Sequence, residues 1–262
     1  MFQRVLLPLD GADTAERTIP VVACIARPLR SELTLIGMLP RGGDEDAVRC
    51  AFMDLNRITR QVALTDFRVG TQVRTGSIAD GVLSAVELLS ADLLVMASCF
   101  GDARTIVSRT RVPVILVPAQ TQGCAKIERV LVPANRTLSQ TQTLAVASEL
   151  AHRREAELIL LSAVMHSQDS HAVAVAGTRQ QANLGEAIVE ASQQLRADIV
   201  VVGTREFVEW LPLSFIDALG VPLLLVPDAS DVAPSDMRGE LGVHSDANDS
   251  AGASYTTYIH HR

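Results

Sequence analysis

Small polar residues follow an apolar run at two places in the first half of the chain and at one place in the second, and such turns can hold a phosphate-bearing ligand. In the first half these residues are Asp10–Gly11, after RVLLPL, and Gly101–Asp102, shortly after LLVMA. In the second half Gly203–Thr204 follows ADIVVV. Glycine lets backbone N–H groups approach an anion closely, and a hydroxyl or carboxylate can hold the rest of a nucleotide. These pairs are therefore candidate ligand-binding turns.

The segments around these turns alternate between buried strands and amphipathic helices. Apolar runs predict strands, and apolar residues at three- and four-residue steps predict helices. The order βαβαβαβαβ predicts a parallel sheet covered on both faces, with ligands bound beyond the carboxyl ends of strands one and four. Strands are predicted at Arg4–Asp10, Leu33–Leu39, Phe67–Thr75, Asp92–Ser98 and Val112–Val117, and helices at Asp13–Arg30, Ala47–Leu64, Ser77–Ser90 and Asp102–Arg109.

The pattern occurs twice. RVLVPAN at Arg129 repeats RVLLPLD at Arg4, and VPLLLVP at Val221 repeats VPVILVP at Val112. An internal repeat with matched strand order predicts two domains. The second copy is shorter by about twenty residues, so we expect it to lack one helix, with its third strand at His171–Thr178 and its last helix at Glu209–Leu219. Domain 1 is predicted at residues 1–120, a linker at 121–128, domain 2 at 129–227, and an acidic, disordered tail at 228–262.

Composition excludes several classes of function. The net charge of −7 argues against a nucleic-acid or anionic-membrane surface. The apolar runs are too short to span a bilayer, and the cysteines lack metal-ligand spacing, so we expect reduced thiols in a cytoplasmic protein. Cys99 lies in a turn and is the candidate reactive thiol. The histidines also lack the spacing of a metal site, and we expect no bound metal.

The assembled motifs resemble the universal stress protein family in its tandem, two-domain form. The resemblance rests on VLLPLDG at Val5, ELTLIGMLP at Glu32, VRTGSIADGVLSAVELLSADLLVMAS at Val73 and the closing VPVILVP, and it covers about residues 1–227 in two copies. It implies an α/β fold with two open parallel five-stranded sheets, flanked by helices as in the adenine nucleotide α-hydrolases. ATP-binding members carry G-x2-G-x9-G-[S/T] after strand four and an aspartate after strand one.

The first half departs from that pattern. Asp10 matches the family's nucleotide-contacting aspartate, but Ala97 replaces the first glycine and the long loop is missing. Gly101 takes the place of the last glycine, and Asp102 falls where a serine or threonine would meet phosphate. A carboxylate at ~4 Å from a phosphate charge costs about 4 kcal/mol at an effective dielectric near 20. The resemblance still implies a set of nucleotide contacts in this half, namely Pro8, Asp10, Gly11, Met96, Ala97 and Gly101.

The second half departs as well. Gly203 and Thr204 keep the start of the loop, but Glu206 replaces the next glycine and Asn135 stands in place of Asp10. Asp10 and Asn135 also fit a simpler role, because short polar side chains satisfy free backbone donors where a strand leads into a helix. The ATP loop is thus predicted to be degenerate in both domains.

The sequence therefore predicts a non-enzymatic binding or regulatory module of stress response, with no resident cofactor and with an unknown protein partner or small ligand. The alternative is residual binding of ATP or AMP through Asp10 and the end of strand four. A hydrolase or transferase is a third hypothesis, but the sequence places no nucleophile beside a base. Arg104, Arg109 and Arg111 could bind an anion near the first site or form a solvated helix face.

Two apolar runs would be exposed sheet edges if each domain stood alone. They are Val112–Val117 and Val221–Val226. Because unpaired apolar edges promote association, we expect these runs to pair within the chain. A homodimer of the whole chain is left open by the sequence.

Overall fold

The computed structural model describes residues 1–9, 12–39, 45–63, 68–121, 126–134, 140–162, 184–228 and 254–258. The strands are β1 Arg4–Leu9, β2 Glu32–Leu39, β3 Arg68–Thr75, β4 Leu93–Ala97, β5 Val114–Val117, β6 Arg129–Ala134, β7 Glu157–Ser162, β8 Ile199–Gly203, β9 Leu223–Val226 and β10 Ser254–Tyr258. The α-helices are α1 Ala12–Ala26, α2 Glu45–Ala63, α3 Ile78–Leu88, α4 Ala103–Arg109, α5 Gln140–Arg154, α6 Leu184–Gln194, α7 Thr204–Trp210 and α8 Ser214–Leu219.

The α/β fold with parallel strands is confirmed. Within each half the paired strands of the repeat run parallel, and the helices lie between them in sequence. The predicted third strand of the second copy, His171–Thr178, and the position of its predicted missing helix lie outside the described residues. No helix in the described ranges combines the length and apolar character that crossing a membrane requires.

The strands of both halves belong to one sheet. Their order is β10-β3-β2-β1-β4-β5-β9-β8-β6-β7. The halves meet where β5 pairs antiparallel with β9, and Ile115 opposite Leu224 is the middle pair. Because VPVILVP and VPLLLVP occupy equivalent places around this pair, the two halves are related by an approximate two-fold axis through it.

Side chains alternate between the two faces of this sheet, as the period of a strand requires. Leu7 of β1 and Val95 of β4 contribute to the core on one face, whereas Leu6 and Met96 contribute to the core on the other. Each of these cores continues from the first half into the second, for example to Ile199 on the first face. The seam between the halves is therefore buried on both sides.

Two predicted segments differ from the structure. The last helix, predicted over Glu209–Leu219, is two short helices, α7 and α8, because Pro212 between them lacks the N–H that a continuous helix needs. In the tail that was predicted to be disordered, Ser254–Tyr258 forms β10 antiparallel to β3. Tyrosine and threonine favour strands, so these five residues differ from the Ser-, Asp- and Gly-rich sequence before them.

Candidate functional site

The topological switch point of the first half lies between β1 and β4. β1 pairs with β2 on one side and with β4 on the other, so the carboxyl ends of β1 and β4 lie next to each other. Pro8 is buried near the end of β1, and Met96 and Ala97 at the end of β4 are fully buried. Asp10 and Gly11 lie outside the described residues. The structure thus brings three of the six predicted contact residues to the strand ends at which this fold binds ligands.

The turn after β4 is short and satisfies much of its own backbone. Only residues 98–102 separate β4 from α4. The Ser98 N–H donates to Val117 O at 2.8 Å, the Phe100 N–H to Ala97 O at 3.0 Å, and the Ala103 N–H to Phe100 O at 3.2 Å. A phosphate loop offers N–H groups to the ligand, whereas these three point to carbonyl groups within the protein.

Phe100 fills the space beneath this turn. Its side chain is 3% exposed and packs in the same core as Met96 and Ile106. A buried phenylalanine at the middle of the turn contributes apolar packing to the core, where an ATP loop would open around phosphate. Phe100 was not among the predicted contact residues, although an aromatic residue between Cys99 and Gly101 was the available signal.

Gly101 and Asp102 end the turn. A Cβ on Gly101 would lie 3.3 Å from Ile78 Cδ1, so the glycine permits a close approach to the start of α3. Asp102 adopts the left-handed conformation at φ 61°, and its exposed side chain makes no capping hydrogen bond. Its carboxylate therefore stands in solvent beside the position at which the family pattern would have a phosphate-binding hydroxyl.

A residue of the second half closes the same strand ends. The Ser98 hydroxyl donates to Asp217 Oδ1 at 2.9 Å, and the Ala119 N–H donates to the same oxygen at 3.0 Å. Asp217 lies on α8, so α8 is tied to the ends of both β4 and β5. Sequence reasoning missed Asp217 because it lies 119 positions from Ser98; the one available signal was that its counterpart in the first copy is a serine, Ser108.

The arginines near the first site bind elsewhere. Arg104 Nη1 donates to Leu211 O at 3.1 Å, and its Nη2 donates to Val208 O. Its guanidinium also lies over the ring of Phe207, 5.9 Å from the centroid. Arg104 thus caps the carboxyl end of α7 in the second half, where a cation is favourable.

Arg109 and Arg111 lie at the end of α4. Arg109 pairs with Asp80 at 2.8 Å, and both side chains are more than half exposed. Arg111 is exposed. An exposed pair such as Arg109–Asp80 contributes little to stability. Arg104 and Arg109 therefore contact groups outside the switch point; Arg109 lies on an exposed helix face, whereas Arg104 is half-buried against α7.

In the second half, the turn after β8 contains a carboxylate of the chain itself. Glu206 is the third residue of α7, after Gly203 as the N-cap residue. A Cβ on Gly203 would collide with the Glu206 carboxylate, and Glu206 is 8% exposed. The negative side chain therefore folds back over the amino end of α7, where the helix dipole favours negative charge.

Neighbouring polar groups complete this second-half turn. Asp228, which follows β9, is buried and lies 3.3 Å from Arg205 Nε. The Thr204 hydroxyl is buried and has no hydrogen-bond partner among the described residues. Thr204 is the counterpart of Ser98, so the hydroxyl that Asp217 binds in one half is left without such a carboxylate in the other.

Among the described residues, no group of three or more His, Cys, Asp or Glu side chains is placed to hold a metal ion. Cys99 is a free, exposed thiol on the turn after β4.

Comparison with known proteins shows which fold these turns belong to. No family model matches the sequence, and no curated protein matches it. A universal stress protein from Archaeoglobus fulgidus DSM 4304 superimposes with a TM-score of 0.64 and 13% identity, covering 87% of this chain and 97% of that one. A protein of unknown function from Pseudomonas aeruginosa PAO1 superimposes with a TM-score of 0.61 and 12% identity. The match covers 88% of this chain and 94% of that one.

A third structure, a protein provisionally assigned to the universal stress proteins of Pseudomonas aeruginosa UCBPP-PA14, gives a TM-score of 0.60 and 13% identity, covering 88% of this chain and 95% of its own. The chain therefore has the universal stress protein fold over most of its length, which confirms the fold that the sequence resemblance predicted. At these identities the likeness concerns the fold, so the site must be judged on its own residues.

Proposed function

We propose that this chain is a non-enzymatic binding or regulatory module of the universal stress protein type, acting in a stress response, and that both of its phosphate loops are degenerate. One observation carries the proposal: in each half, the place of the loop is taken by the protein's own groups. In the first half these groups are the internal hydrogen bonds of residues 98–102 and the buried ring of Phe100. In the second half the group is the Glu206 carboxylate.

The charges at both turns also disfavour a triphosphate. Asp102 is exposed beside the first turn, and Glu206 is folded over the second. The arginine nearest to the first turn, Arg104, is bound to carbonyl oxygens of α7. A phosphate at either turn would therefore meet a carboxylate, which raises its free energy.

The test is a calorimetric titration of the full chain with ATP and magnesium, supported by thermal unfolding. We expect no binding heat at millimolar ATP and no shift in the midpoint of unfolding, since a ligand raises stability only if it binds the folded state. The variant Glu87→Gln, changed on the exposed outer face of α3, is the control for charge alone. A dissociation constant for ATP in the micromolar range would overturn the proposal.

A second candidate function is residual adenine-nucleotide binding in the first half, through Asp10 and the end of β4. The adjacent carboxyl ends of β1 and β4 favour this function, because Asp10 is the first residue after β1. A ligand with fewer phosphates needs less of the missing loop, so AMP should bind better than ATP. Under this hypothesis Asp10→Ala abolishes AMP binding, whereas Asp46→Ala, at an exposed position of α2, leaves AMP binding unchanged.

For partners, we infer that the β5–β9 contact takes the place of a contact between two subunits, and that the chain has an unidentified protein partner or small ligand. The antiparallel register centred on Ile115 and Leu224 supports this inference, because it is the arrangement that a two-fold axis produces. Light scattering should then give one chain of 28.1 kDa. A concentration-independent mass of two chains would favour a homodimer instead.

A further inference from the structure

The outer edge of β3 carries a strand from a distant part of the sequence. β10 pairs antiparallel with β3, from Ser254 opposite Arg74 to Tyr258 opposite Gly70. On its other side, β3 pairs with β2 along its full length. Without β10, the outer side of β3 would present a row of unpaired N–H and C=O groups, which is a template for any extended segment.

The backbone of β3 could pair in this way with strands of many different sequences. Strand addition draws its affinity from main-chain hydrogen bonds, and side chains adjust the specificity. Residues 71–73 of β3 are buried, so the strand is held firmly by the rest of the fold. β10 is a five-residue strand beside a fixed eight-residue one. Its loss would leave the remaining sheet in place.

Charge gives the edge a preference for acidic segments. Arg74 stands opposite Ser254, at the end of the paired stretch where β10 begins, whereas Arg68 lies two residues beyond the other end and pairs with Glu32 at 3.4 Å. The 25 residues before β10 contain one arginine and five acids, the nearest of which is Asp249. In the antiparallel register, Ser254, the residue that directly follows this acidic sequence, lies opposite Arg74.

Arg74 has unused binding capacity. Its Nη1 lies 3.3 Å from Ser84 Oγ, whereas its buried Nε has no hydrogen-bond partner among the described residues. Partial burial lowers the pKa of Arg74, since the charged guanidinium is partly removed from water. A carboxylate arriving beside it would offset that desolvation.

The connection is long enough for β10 to come from the same chain. β9 and β10 are separated by six strand spacings, or about 29 Å. Residues 229–253 could span about 85 Å if fully extended. A segment tethered in this way has an effective concentration on the order of millimolar, falling with the length of the connection. A free segment of equal affinity would have to approach that concentration to compete.

We propose that the outer edge of β3 is a docking edge for an extended segment with acidic residues on its amino-terminal side, and that Ser254–Tyr258 of the same chain occupies it as a displaceable cover. This surface is two strands away from the switch point between β1 and β4, so its occupation does not depend on whether a nucleotide binds there.

Hydrogen exchange on the full-length chain tests whether β10 covers the outer edge of β3. The variant Thr256→Pro/Thr257→Pro removes two N–H groups from β10 and breaks its pairing. We expect the amides of residues 70–74 that face β10 to exchange at least about tenfold faster than in the unchanged chain, while the alternate amides, which face β2, and those of β1 stay protected. Ala247→Pro/Asn248→Pro, which places two prolines before β10, is the matched control and should behave as the unchanged chain. Equal exchange of residues 70–74 in the chain and in the β10 variant would overturn the proposal.

A synthetic peptide of residues 246–262 tests the docking edge. Added at millimolar concentration to the Thr256→Pro/Thr257→Pro chain, it should restore the protection of residues 70–74. On the unchanged chain, whose edge is occupied, it should add no protection. A peptide with Asp246→Asn and Asp249→Asn should bind several-fold more weakly at low salt, because surface charges act over about 10 Å at 0.1 M. Failure of the unaltered peptide to restore protection would contradict a docking edge.

Discussion

At the scale of single residues, a glycine and a glutamate determine the second-half turn. Gly203 has an extended conformation that any residue can adopt, so its role is steric. The Glu206 carboxylate lies where a Cβ on Gly203 would be. A glycine that looks like the remnant of a phosphate loop thus leaves room for a carboxylate of the same chain.

The variant Gly203→Ala tests this contact. The added methyl group displaces the buried Glu206 carboxylate, and we expect the free energy of unfolding to fall by about 2 kcal/mol, as is usual for overpacking. Urea denaturation measures the loss. Gly101→Ala is the control, because its Cβ would meet only the end of the Ile78 side chain at 3.3 Å.

A double-mutant cycle separates the steric effect of the new methyl group on Glu206 from any loss of stability that Gly203→Ala causes by itself. In the background Glu206→Ser the carboxylate is absent, so Gly203→Ala should then cost well under 1 kcal/mol, and the coupling energy should account for most of the effect. A cost that is the same in both backgrounds would contradict the contact between these residues.

At the scale of the elements, α8 is fastened to the first half at one point. The Asp217 carboxylate accepts a hydrogen bond from the Ser98 hydroxyl, directly after β4, and another from the Ala119 N–H, two residues after β5. The counterpart of Asp217 in the first half is Ser108, whose hydroxyl donates to Thr105 O within its own helix. The approximate two-fold symmetry of the sheet is thus broken by this contact, because the position on α4 that corresponds to Asp217 holds a serine.

The variant Asp217→Ala leaves the Ser98 hydroxyl and the Ala119 N–H without their acceptor. We expect the free energy of unfolding to fall by about 0.5–1.5 kcal/mol, the net contribution of a hydrogen bond, because Asp217 is exposed and water can replace it at the Ala119 N–H. Asp217→Asn keeps an acceptor oxygen and should lose less. Chemical denaturation of both variants, with Glu87→Ala on an exposed face as the control, gives the comparison; equal losses for Asp217→Ala and Glu87→Ala would exclude the fastening role.

The elements differ in how far the sequence predicts them. α3 and β4 were predicted almost to their ends, because Ser77 caps the helix and LLVMA is an uninterrupted apolar run. The groups that fill the candidate site were not predicted. Phe100 turns into the core and Asp217 reaches it from the other half, and such long-range contacts leave no local period in the sequence. Residues 10 and 11, which matter most for the alternative function, lie outside the described ranges.

At the scale of the whole molecule, the two halves share their cores. On one face, Leu7 of the first half and Ile199 of the second belong to one continuous apolar cluster, and the cluster on the other face is shared in the same way. The β5–β9 pair is buried between these two clusters. A repeat that reads as two domains along the sequence is therefore one body in its packing.

This shared packing predicts a single cooperative unfolding transition. Leu7→Ala and Ile199→Ala each remove a fully buried side chain and should cost about 2–5 kcal/mol. With a shift of roughly 2–4 °C per kcal/mol at this size, each should lower the one midpoint of unfolding by about 4–20 °C. Calorimetry is the measurement, since calorimetric and van't Hoff enthalpies agree for a two-state transition. If either variant split the curve and moved only one of two transitions, the halves would be independent domains, and the β5–β9 seam would be a weak contact instead of the centre of a common core.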